Sequence, residues 1–252
     1  MSFRLLTIRF DPARLILVVI PKSGSTTLIS AFLILAGLGE QAATPRQFRR
    51  SEGSAALMAE RGLAIDAIER EALAQLRSDL PDYRFVTVMR DPAQRFLSGY
   101  FSKINRFCKR FAKPVYYWGK LCQAFEGPKA WGDVNRGNAH MLRHVSFERF
   151  VAGFEEHGTE WDSHFALQSR MIGLAEIGYD RVIPLETLDA DLPRILAELG
   201  VAPEVLARLT EMPRMNRTAK DGDGRQALLT PEMRARIAAL YREDYDSLGP
   251  RA

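Results

Sequence analysis

The sequence predicts an α/β fold with a mainly parallel central β-sheet flanked by helices. Two short apolar runs, residues 15–20 and 85–89, are typical of strands buried on both faces. Each run leads directly into a polar loop, and each loop leads into a stretch of helical periodicity. Strands that alternate with helices in this way favour a parallel sheet covered by helices.

The remaining elements of the first half follow from periodicity and turn residues. Residues 3–10 alternate and precede Asp11-Pro12, which predicts a strand and a turn before the 15–20 strand. The helix that begins after Gly24 is expected to end near Gly37, and residues 40–62 to form loop and short helix. Apolar residues at helical spacing predict an amphipathic helix over 64–78.

Capping residues mark the helices of the second half. Pro92 suits the first turn of a helix, with Asp91 before it as the N-cap. Ser146 and Thr230 occupy the same position before two later helices, the second of which is expected to reach about residue 245. Between them we expect a strand at 181–186, a helix at 189–199 and a short helix from 203.

Length and composition bound the class of protein. The chain has 252 residues and is 46% hydrophobic, which suits a single domain over residues 1–252. A net charge of +4 fits an anionic ligand but is too small to indicate nucleic acid. Cys108 and Cys122 form no metal-binding spacing and no disulfide framework, which favours a reducing compartment. No signal-peptide pattern or run of 18 apolar residues is present, so we expect a cytoplasmic chain without a transmembrane segment.

The loop after the 15–20 strand has the composition of an anion cradle. It reads Pro21-Lys22-Ser23-Gly24-Ser25-Thr26-Thr27 and runs into a helix, whose first N–H groups and positive dipole end attract anions. Gly24 permits close backbone approach, Lys22 adds a charge, and the hydroxyls add donors. The loop is P-loop-like, but it lacks the Walker pattern because the lysine precedes the glycine. A turn with ordinary N-cap residues and no ligand is the alternative.

The second strand–loop–helix junction carries Arg90, with Ser98 eight positions later. Because both junctions lie at the carboxyl ends of parallel strands, we expect their helix N-termini to face one crevice. Two separate cationic positions suit a nucleotide that is phosphorylated at two places. Residues 103–120 mix cations with aromatic rings, which fits a solvated surface as well as a groove for an acidic acceptor.

Together the two junctions resemble the nucleotide-binding motifs of sulfotransferases. The Lys22 loop resembles their 5′-phosphosulfate loop, and residues 90–100 resemble their 3′-phosphate motif, an arginine with a serine eight positions later. The closest resemblance is to carbohydrate sulfotransferases of the Golgi type and their bacterial relatives. Residues 147–154, 162–165, 179–180, 183–186 and 240–245 also fit that family's layout. The resemblance implies transfer of a sulfuryl group from 3′-phosphoadenosine 5′-phosphosulfate to a hydroxyl of a saccharide or glycoconjugate.

The resemblance also implies roles for individual residues. Arg90 and Ser98 would hold the 3′-phosphate, and Lys22 would also neutralise charge on the leaving phosphate oxygen. No metal is expected, because lysine and arginine supply the cations and the sequence has no evident metal cluster. Arg217 and Lys220 lie in a C-terminal loop that would close over the nucleotide. The 5′-phosphosulfate would be held by Lys22, Ser23, Gly24, Ser25, Thr26 and Thr27.

The acceptor hydroxyl requires a base. Some glycan sulfotransferases place a Glu or His between the two motifs, but here that interval contains no histidine and no carboxylate that clearly matches. His164, in an Asp-x-His-aromatic segment, is the candidate. A packed and hydrogen-bonded histidine with no catalytic role explains the same segment equally well. Arg95 is expected to pair within the fold.

Two other functions compete with sulfuryl transfer. A P-loop-type nucleotide-dependent kinase is disfavoured by the missing Walker pattern and by the Arg90 and Ser98 pair. A non-catalytic nucleotide- or glycan-binding module would keep the cradle without a base. Relative affinity for adenosine 3′,5′-bisphosphate and ATP separates the first alternative, and sulfate transfer to hydroxyl acceptors separates the second. In each case the expected partners are small molecules and not nucleic acid.

Overall fold

The structure is a computed structural model of the chain. It describes residues 3–102, 146–160, 162–211 and 224–249. These residues fall into two compact units. The sheet unit contains the described residues of 2–91 and 168–217, and the helical unit contains those of 92–167 and 218–249. The organisation as one domain over residues 1–252 stays a prediction.

The sheet unit is built on five strands of the described chain, in the spatial order β3-β1-β2-β4-β5. Their bounds are β1 Arg4–Phe10, β2 Leu15–Val19, β3 Leu63–Glu69, β4 Arg84–Met89 and β5 Arg181–Pro184. β2 is parallel to β4, and β4 is parallel to β5, whereas β1 is antiparallel to both of its neighbours. The predicted α/β class with a helix-flanked sheet is confirmed, and its parallel pairing lies in the half formed by β2, β4 and β5.

Helices occur in both units, and α5, α6, α11 and α12 belong to the helical unit. None of the helices among the described residues has the length and apolarity to cross a bilayer. Their bounds are α1 Ser25–Leu35, α2 Pro45–Phe48, α3 Ser54–Ala59, α4 Ala72–Asp79, α5 Pro92–Tyr100, α6 Phe147–His157, α7 Gln168–Met171, α8 Leu174–Ile177, α9 Leu188–Glu198, α10 Pro203–Ala207, α11 Pro231–Leu240 and α12 Arg242–Leu248.

Residues 64–78, predicted as one amphipathic helix, instead form most of β3 and most of α4. β3 pairs along its whole length with β1. Leu63 and Ile65, two residues apart, are 1% and 8% exposed, so the burial at the start of β3 has the period of a strand. The helical prediction was wrong for residues 64–69. It rested on the three-residue spacing of Ile65 and Ile68, whereas pairing with the distant strand β1 determines the structure of this segment. Leu73, on α4, is fully buried, as the prediction required.

The predicted N-caps of α6 and α11 are confirmed. The Ser146 hydroxyl accepts a hydrogen bond from the Arg149 N–H at 3.1 Å, at the start of α6. The Thr230 hydroxyl accepts one from the Met233 N–H at 3.2 Å, at the start of α11. The last helix was predicted to be continuous, but it is interrupted at Tyr241, which separates α11 from α12. The φ of −114° and ψ of 28° of Tyr241 lie outside the helical region.

Each unit has its own hydrophobic core. In the sheet unit, β2 is buried along its whole length and packs with β4 and the apolar face of α9 around α1. In the helical unit, Phe96 of α5 is the centre of an aromatic cluster. Its ring lies 5.0–6.0 Å, centroid to centroid, from the rings of Phe147, Phe150, Phe154, Phe165 and Tyr241. These contacts fix α5 and α6 against each other and against Tyr241, which follows α11.

Candidate active site

The loop after β2 leads into α1 through two left-handed residues. Lys22 has a φ of +70° and Gly24 a φ of +79°. Between them, the Ser23 N–H donates to the Ile20 carbonyl at 3.2 Å and closes a turn. α1 begins at the residue after Gly24. In any α-helix the N–H groups of the first turn lack acceptors within the helix and form the positive end of its dipole. The loop therefore has the backbone geometry of an anion site.

The side chains of the loop divide into two sets. The Ser23 side chain is fully buried, and its hydroxyl donates to the side-chain oxygen of Gln168 at 3.0 Å. The other polar side chains of the loop are only half-buried, so a ligand has access to them; they are Lys22, Ser25, Thr26 and Thr27. The Ser23 hydroxyl thus has a partner inside the protein, whereas its neighbours lie at the surface of the sheet unit.

Arg90 lies beside this loop. It directly follows β4, and its Nη1 atom donates to the Lys22 carbonyl oxygen at 3.2 Å, across 68 residues of sequence. The structure therefore brings together Lys22 and Arg90, one residue from each motif. Two cationic residues and a helix N-terminus in one place favour an anion with more than one negative charge.

Gln168, which no sequence pattern singles out, joins the loop to Arg90. Its side chain is fully buried at the start of α7. Its Oε1 atom accepts hydrogen bonds from the Ser23 hydroxyl and from the Arg90 N–H, both at 3.0 Å. Its Nε2 atom donates to the Arg90 carbonyl oxygen at 2.8 Å. No local signal could have revealed this role, because the partners are 145 and 78 residues away in sequence.

The turn after β5 also approaches both motifs. A Cβ atom on Gly24 would lie 2.7 Å from Cδ1 of Leu185, so this leucine covers the glycine closely. The next residue, Glu186, accepts a hydrogen bond from the Asp91 N–H at 3.1 Å through Oε1. The carboxyl ends of β2, β4 and β5 therefore converge, at the edge where open α/β sheets bind their ligands.

The helical unit contains the two other predicted site residues that the structure describes. Ser98 lies on α5 and is 7% exposed. The Nδ1 atom of His164 lies 2.8 Å from Oδ1 of Asp162, and the same oxygen accepts the His164 N–H at 2.7 Å. When Nδ1 donates to this carboxylate, Nε2 keeps a lone pair, which is the arrangement that a general base needs. Asp162 is therefore a candidate functional residue. Its proximity to His164 was evident from the sequence, but its hydrogen bonds to this histidine were not predicted.

Arg95 holds the segment that carries His164. The guanidinium group is 1% exposed and donates to the Ala166 carbonyl at 2.8 Å and to the Ser163 carbonyl at 3.0 Å. The expectation that Arg95 pairs within the fold is confirmed. Burial lowers the pKa of Arg95, and nearby acidic groups and a tyrosine oppose this effect: Tyr241, Asp244, Asp162 and Glu160.

Tyr241, the residue between α11 and α12, fixes the same segment. Its hydroxyl donates to the Phe165 carbonyl at 2.6 Å, and burial raises the pKa of Tyr241, so the hydroxyl keeps its proton. A Cβ atom on Gly99 would lie 2.4 Å from the Phe165 ring, so α5 packs directly against that ring. Backbone and ring contacts therefore hold the chain on both sides of His164.

Other predicted residues lie outside the described part of the chain. They are Arg217 and Lys220, the cationic and aromatic residues of 103–120, and both cysteines. Their assignments stay predictions.

Comparison with known proteins identifies the family. A family model described as the sulfotransferase family matches residues 7–249, which include every described residue of the Lys22 loop, Arg90, Ser98 and His164. No match was found among curated proteins or among solved structures. The resemblance that the two motifs indicated is confirmed: the chain belongs to the sulfotransferase family.

Proposed function

We propose that the protein transfers a sulfuryl group from 3′-phosphoadenosine 5′-phosphosulfate to a hydroxyl of a saccharide or glycoconjugate. Family membership supports sulfuryl transfer as the reaction class. The observation that carries the choice of donor is the hydrogen bond between Arg90 and the Lys22 loop at the N-terminus of α1. This arrangement suits a nucleotide with anionic groups on both its 5′ and 3′ sides. The cysteine usage supports a cytoplasmic location.

The proposed donor site assigns one anionic group to each motif. The 5′-phosphosulfate contacts Lys22, the loop amides and the hydroxyls of the first turn of α1. The 3′-phosphate contacts the Arg90 guanidinium, which offers a planar pair of N–H donors. Ser98, Arg217 and Lys220 are assigned to the nucleotide from their places in the motifs and in the C-terminal loop. The hydroxyl of Ser23 is buried and supports the loop. The residues on either side of Ser23 contact the donor.

The proposed reaction is an in-line displacement at sulfur. The acceptor oxygen forms a bond to sulfur while the bond between sulfur and the bridging phosphate oxygen breaks, which releases adenosine 3′,5′-bisphosphate. The Lys22 ammonium stabilises the charge that develops on the leaving oxygen. The acceptor proton passes to Nε2 of His164, and the Asp162 carboxylate stabilises the imidazolium that forms. The cations of this scheme are protein side chains, so no metal ion takes part.

The experiment that tests the proposal is transfer of labelled sulfate from the donor to a panel of acceptors. The panel pairs neutral and acidic saccharides with lipid and phenolic hydroxyls, and formation of adenosine 3′,5′-bisphosphate is followed in parallel. We expect labelled saccharide and nucleotide product in equal amounts. Lys22→Ala should abolish turnover, because it removes the charge that stabilises the leaving group. Unchanged turnover in Lys22→Ala would refute the role assigned to the lysine.

The base is tested with a matched pair of histidine variants. His164→Ala should lower the rate by roughly 10²–10⁴-fold while nucleotide affinity stays unchanged, as for loss of a general base. His157→Ala, at the end of α6 in the same unit, is the control and should leave the rate unchanged. A clearly smaller effect of His164→Ala would return this histidine to a structural role. Nucleotide binding without transfer to any acceptor would favour a binding module, and phosphoryl transfer from ATP would favour a kinase.

A further inference from the structure

We propose that Gln168 is a positioning residue that holds the Lys22 loop and Arg90 at the separation that the nucleotide requires. The inference rests on the proposed function, because the 3′,5′-substituted nucleotide is the ligand whose binding it governs. It concerns residues of the sheet unit alone, and it goes beyond the motif residues because Gln168 belongs to neither motif.

The Gln168 amide acts as a substitute for a neighbouring strand. Arg90 follows the last residue of β4, Met89, which is paired with Pro184 at the end of β5. β2 also ends before this level, so regular strand pairing does not continue beside Arg90. The buried amide instead accepts from the Arg90 N–H at 3.0 Å and donates to its carbonyl at 2.8 Å. Both polar backbone groups of Arg90 are thus fixed by one side chain, as they would be by a strand.

The same amide also fixes the loop. Its Oε1 atom accepts from the Ser23 hydroxyl at 3.0 Å, and Ser23 lies between the two left-handed residues that set the direction of the loop. Because these groups are buried, loss of one partner leaves a polar atom without compensation from water. One rigid amide therefore determines the distance between the Arg90 backbone and the loop backbone. The amide is uncharged, so it does not repel an anionic ligand.

This geometry has a specific consequence for nucleotide binding. A nucleotide with both a 5′-phosphate and a 3′-phosphate gains affinity from Arg90 only if the guanidinium lies at the right distance from the Lys22 loop. Without the Gln168 amide, the 5′-phosphate can still bind at the loop. The additional affinity from the 3′-phosphate is then reduced, because Arg90 must be ordered when the ligand binds. The preference for adenosine 3′,5′-bisphosphate over adenosine 5′-monophosphate therefore measures the positioning role.

The test compares the two nucleotides by isothermal titration calorimetry in wild-type and variant proteins. Gln168→Met keeps the length of the side chain but removes its polar atoms. We expect the preference for the bisphosphate to fall about tenfold, equivalent to about 1.4 kcal/mol. Gln168→Glu keeps an acceptor but loses the donor to the Arg90 carbonyl and adds a buried negative charge when ionised. In Gln168→Glu, the preference for the bisphosphate should fall further at neutral pH. It should recover partly at acidic pH, where the protonated carboxyl group can again donate to the Arg90 carbonyl.

Thr87→Val is the matched control. Thr87 lies on β4, is fully buried, and donates through its hydroxyl to the Val18 carbonyl at 2.9 Å. The valine variant loses one buried hydrogen bond of the same sheet without losing a contact to the Lys22 loop. A general loss of stability reduces the folded fraction for both nucleotides alike and leaves their ratio unchanged. The ratio should therefore stay at the wild-type value in Thr87→Val.

The outcomes distinguish the positioning role of Gln168 from the proposed donor site. An unchanged ratio in both Gln168 variants, with a wild-type protein that prefers the bisphosphate, would overturn the positioning role and leave the proposed donor intact. A wild-type protein without that preference would refute the donor site and the inference with it. If the Gln168 variants do not fold, Ser23→Ala removes only the link between the amide and the loop. The ratio should then fall severalfold, and an unchanged ratio would also overturn the inference.

Discussion

Replacement of Gly24 by alanine tests the geometry of the loop most sharply. Two features of the structure oppose a side chain at this position. The residue has a φ of +79°, and its Cβ atom would lie 2.7 Å from Cδ1 of Leu185. Both features belong to the sheet unit, so their effect on its stability can be measured without a ligand.

The two features contribute separable amounts. The left-handed backbone costs an alanine about 1–2 kcal/mol relative to glycine. Overpacking costs about 1–3 kcal/mol, and here we expect about 1 kcal/mol because the contact is with the end of a partly buried side chain that can move. Gly24→Ala should therefore destabilise the protein by about 2–3 kcal/mol in total. Gly53 provides the control, since its φ is +75° and nothing lies within 4 Å of its Cβ position.

The assay is urea unfolding of five proteins: wild type, Gly24→Ala, Gly53→Ala, Leu185→Ala and Gly24→Ala combined with Leu185→Ala. Gly53→Ala should show only the backbone cost of about 1–2 kcal/mol. The double variant is compared with Leu185→Ala alone, so that the interaction between the two sites is isolated as a coupling free energy. We expect a coupling of about 1 kcal/mol, because removal of the leucine side chain relieves the contact.

Two results would refute this reasoning. Equal destabilisation by Gly24→Ala and Gly53→Ala would show that Leu185 does not restrict the loop. A coupling near zero would show the same thing independently, even if the two single variants differ. Either result would remove the β5 turn from the set of elements that shape the proposed phosphosulfate site.

Three further results are expected. Burial alone would raise the pKa of Asp180, but the Phe85 N–H and two arginines hold this pKa below its ordinary value. Asp180→Asn should therefore lower the free energy of unfolding, measured with urea, by about 1–2 kcal/mol at neutral pH. The difference from wild type should vanish as the pH falls through the lowered pKa, because the carboxyl is then protonated in the folded protein. A pH-independent loss would contradict that origin. Arg95→Met should lower the free energy of unfolding by about 2–4 kcal/mol in the same assay, because buried carbonyls and nearby carboxylates lose their cation. Arg95→Lys should recover only part of this loss, because an ammonium group lacks the planar guanidinium that donates to the Ala166 and Ser163 carbonyls together. Full recovery would show that this paired donation is not required. Excess EDTA should leave sulfuryl transfer unchanged, whereas loss of turnover that Mg²⁺ restores would show that a metal takes part.

The parallel half of the sheet and its loops follow from local sequence. β2 is a continuous apolar run, and β4 is apolar except for Arg84 and Thr87. Each loop contains its own turn residues and helix start, so short windows contain the necessary information. The pairing of Asp162 with His164 is also local, because the residues are two positions apart. These features could be predicted because the interactions that determine them lie close together in the chain.

The features that sequence reasoning missed depend on distant partners. β3 is a strand because β1 lies beside it, and the apolar spacing of Ile65 and Ile68 fits a helix equally well. The role of Gln168 depends on Ser23 and Arg90, and a glutamine at the start of a short helix has no local mark of such a role. Long-range hydrogen bonds of this kind appear only once the chain has folded.

The most direct test of the central claim is the relative affinity for adenosine 3′,5′-bisphosphate and ATP, measured by titration calorimetry without added metal. The proposed site predicts tighter binding of the bisphosphate, because Arg90 beside the Lys22 loop matches a 3′-phosphate that ATP lacks. Arg90→Ala should remove most of that preference while binding of adenosine 5′-monophosphate is retained. Tighter binding of ATP, or a preference that survives Arg90→Ala, would contradict the claim that this site binds the donor of a sulfuryl group.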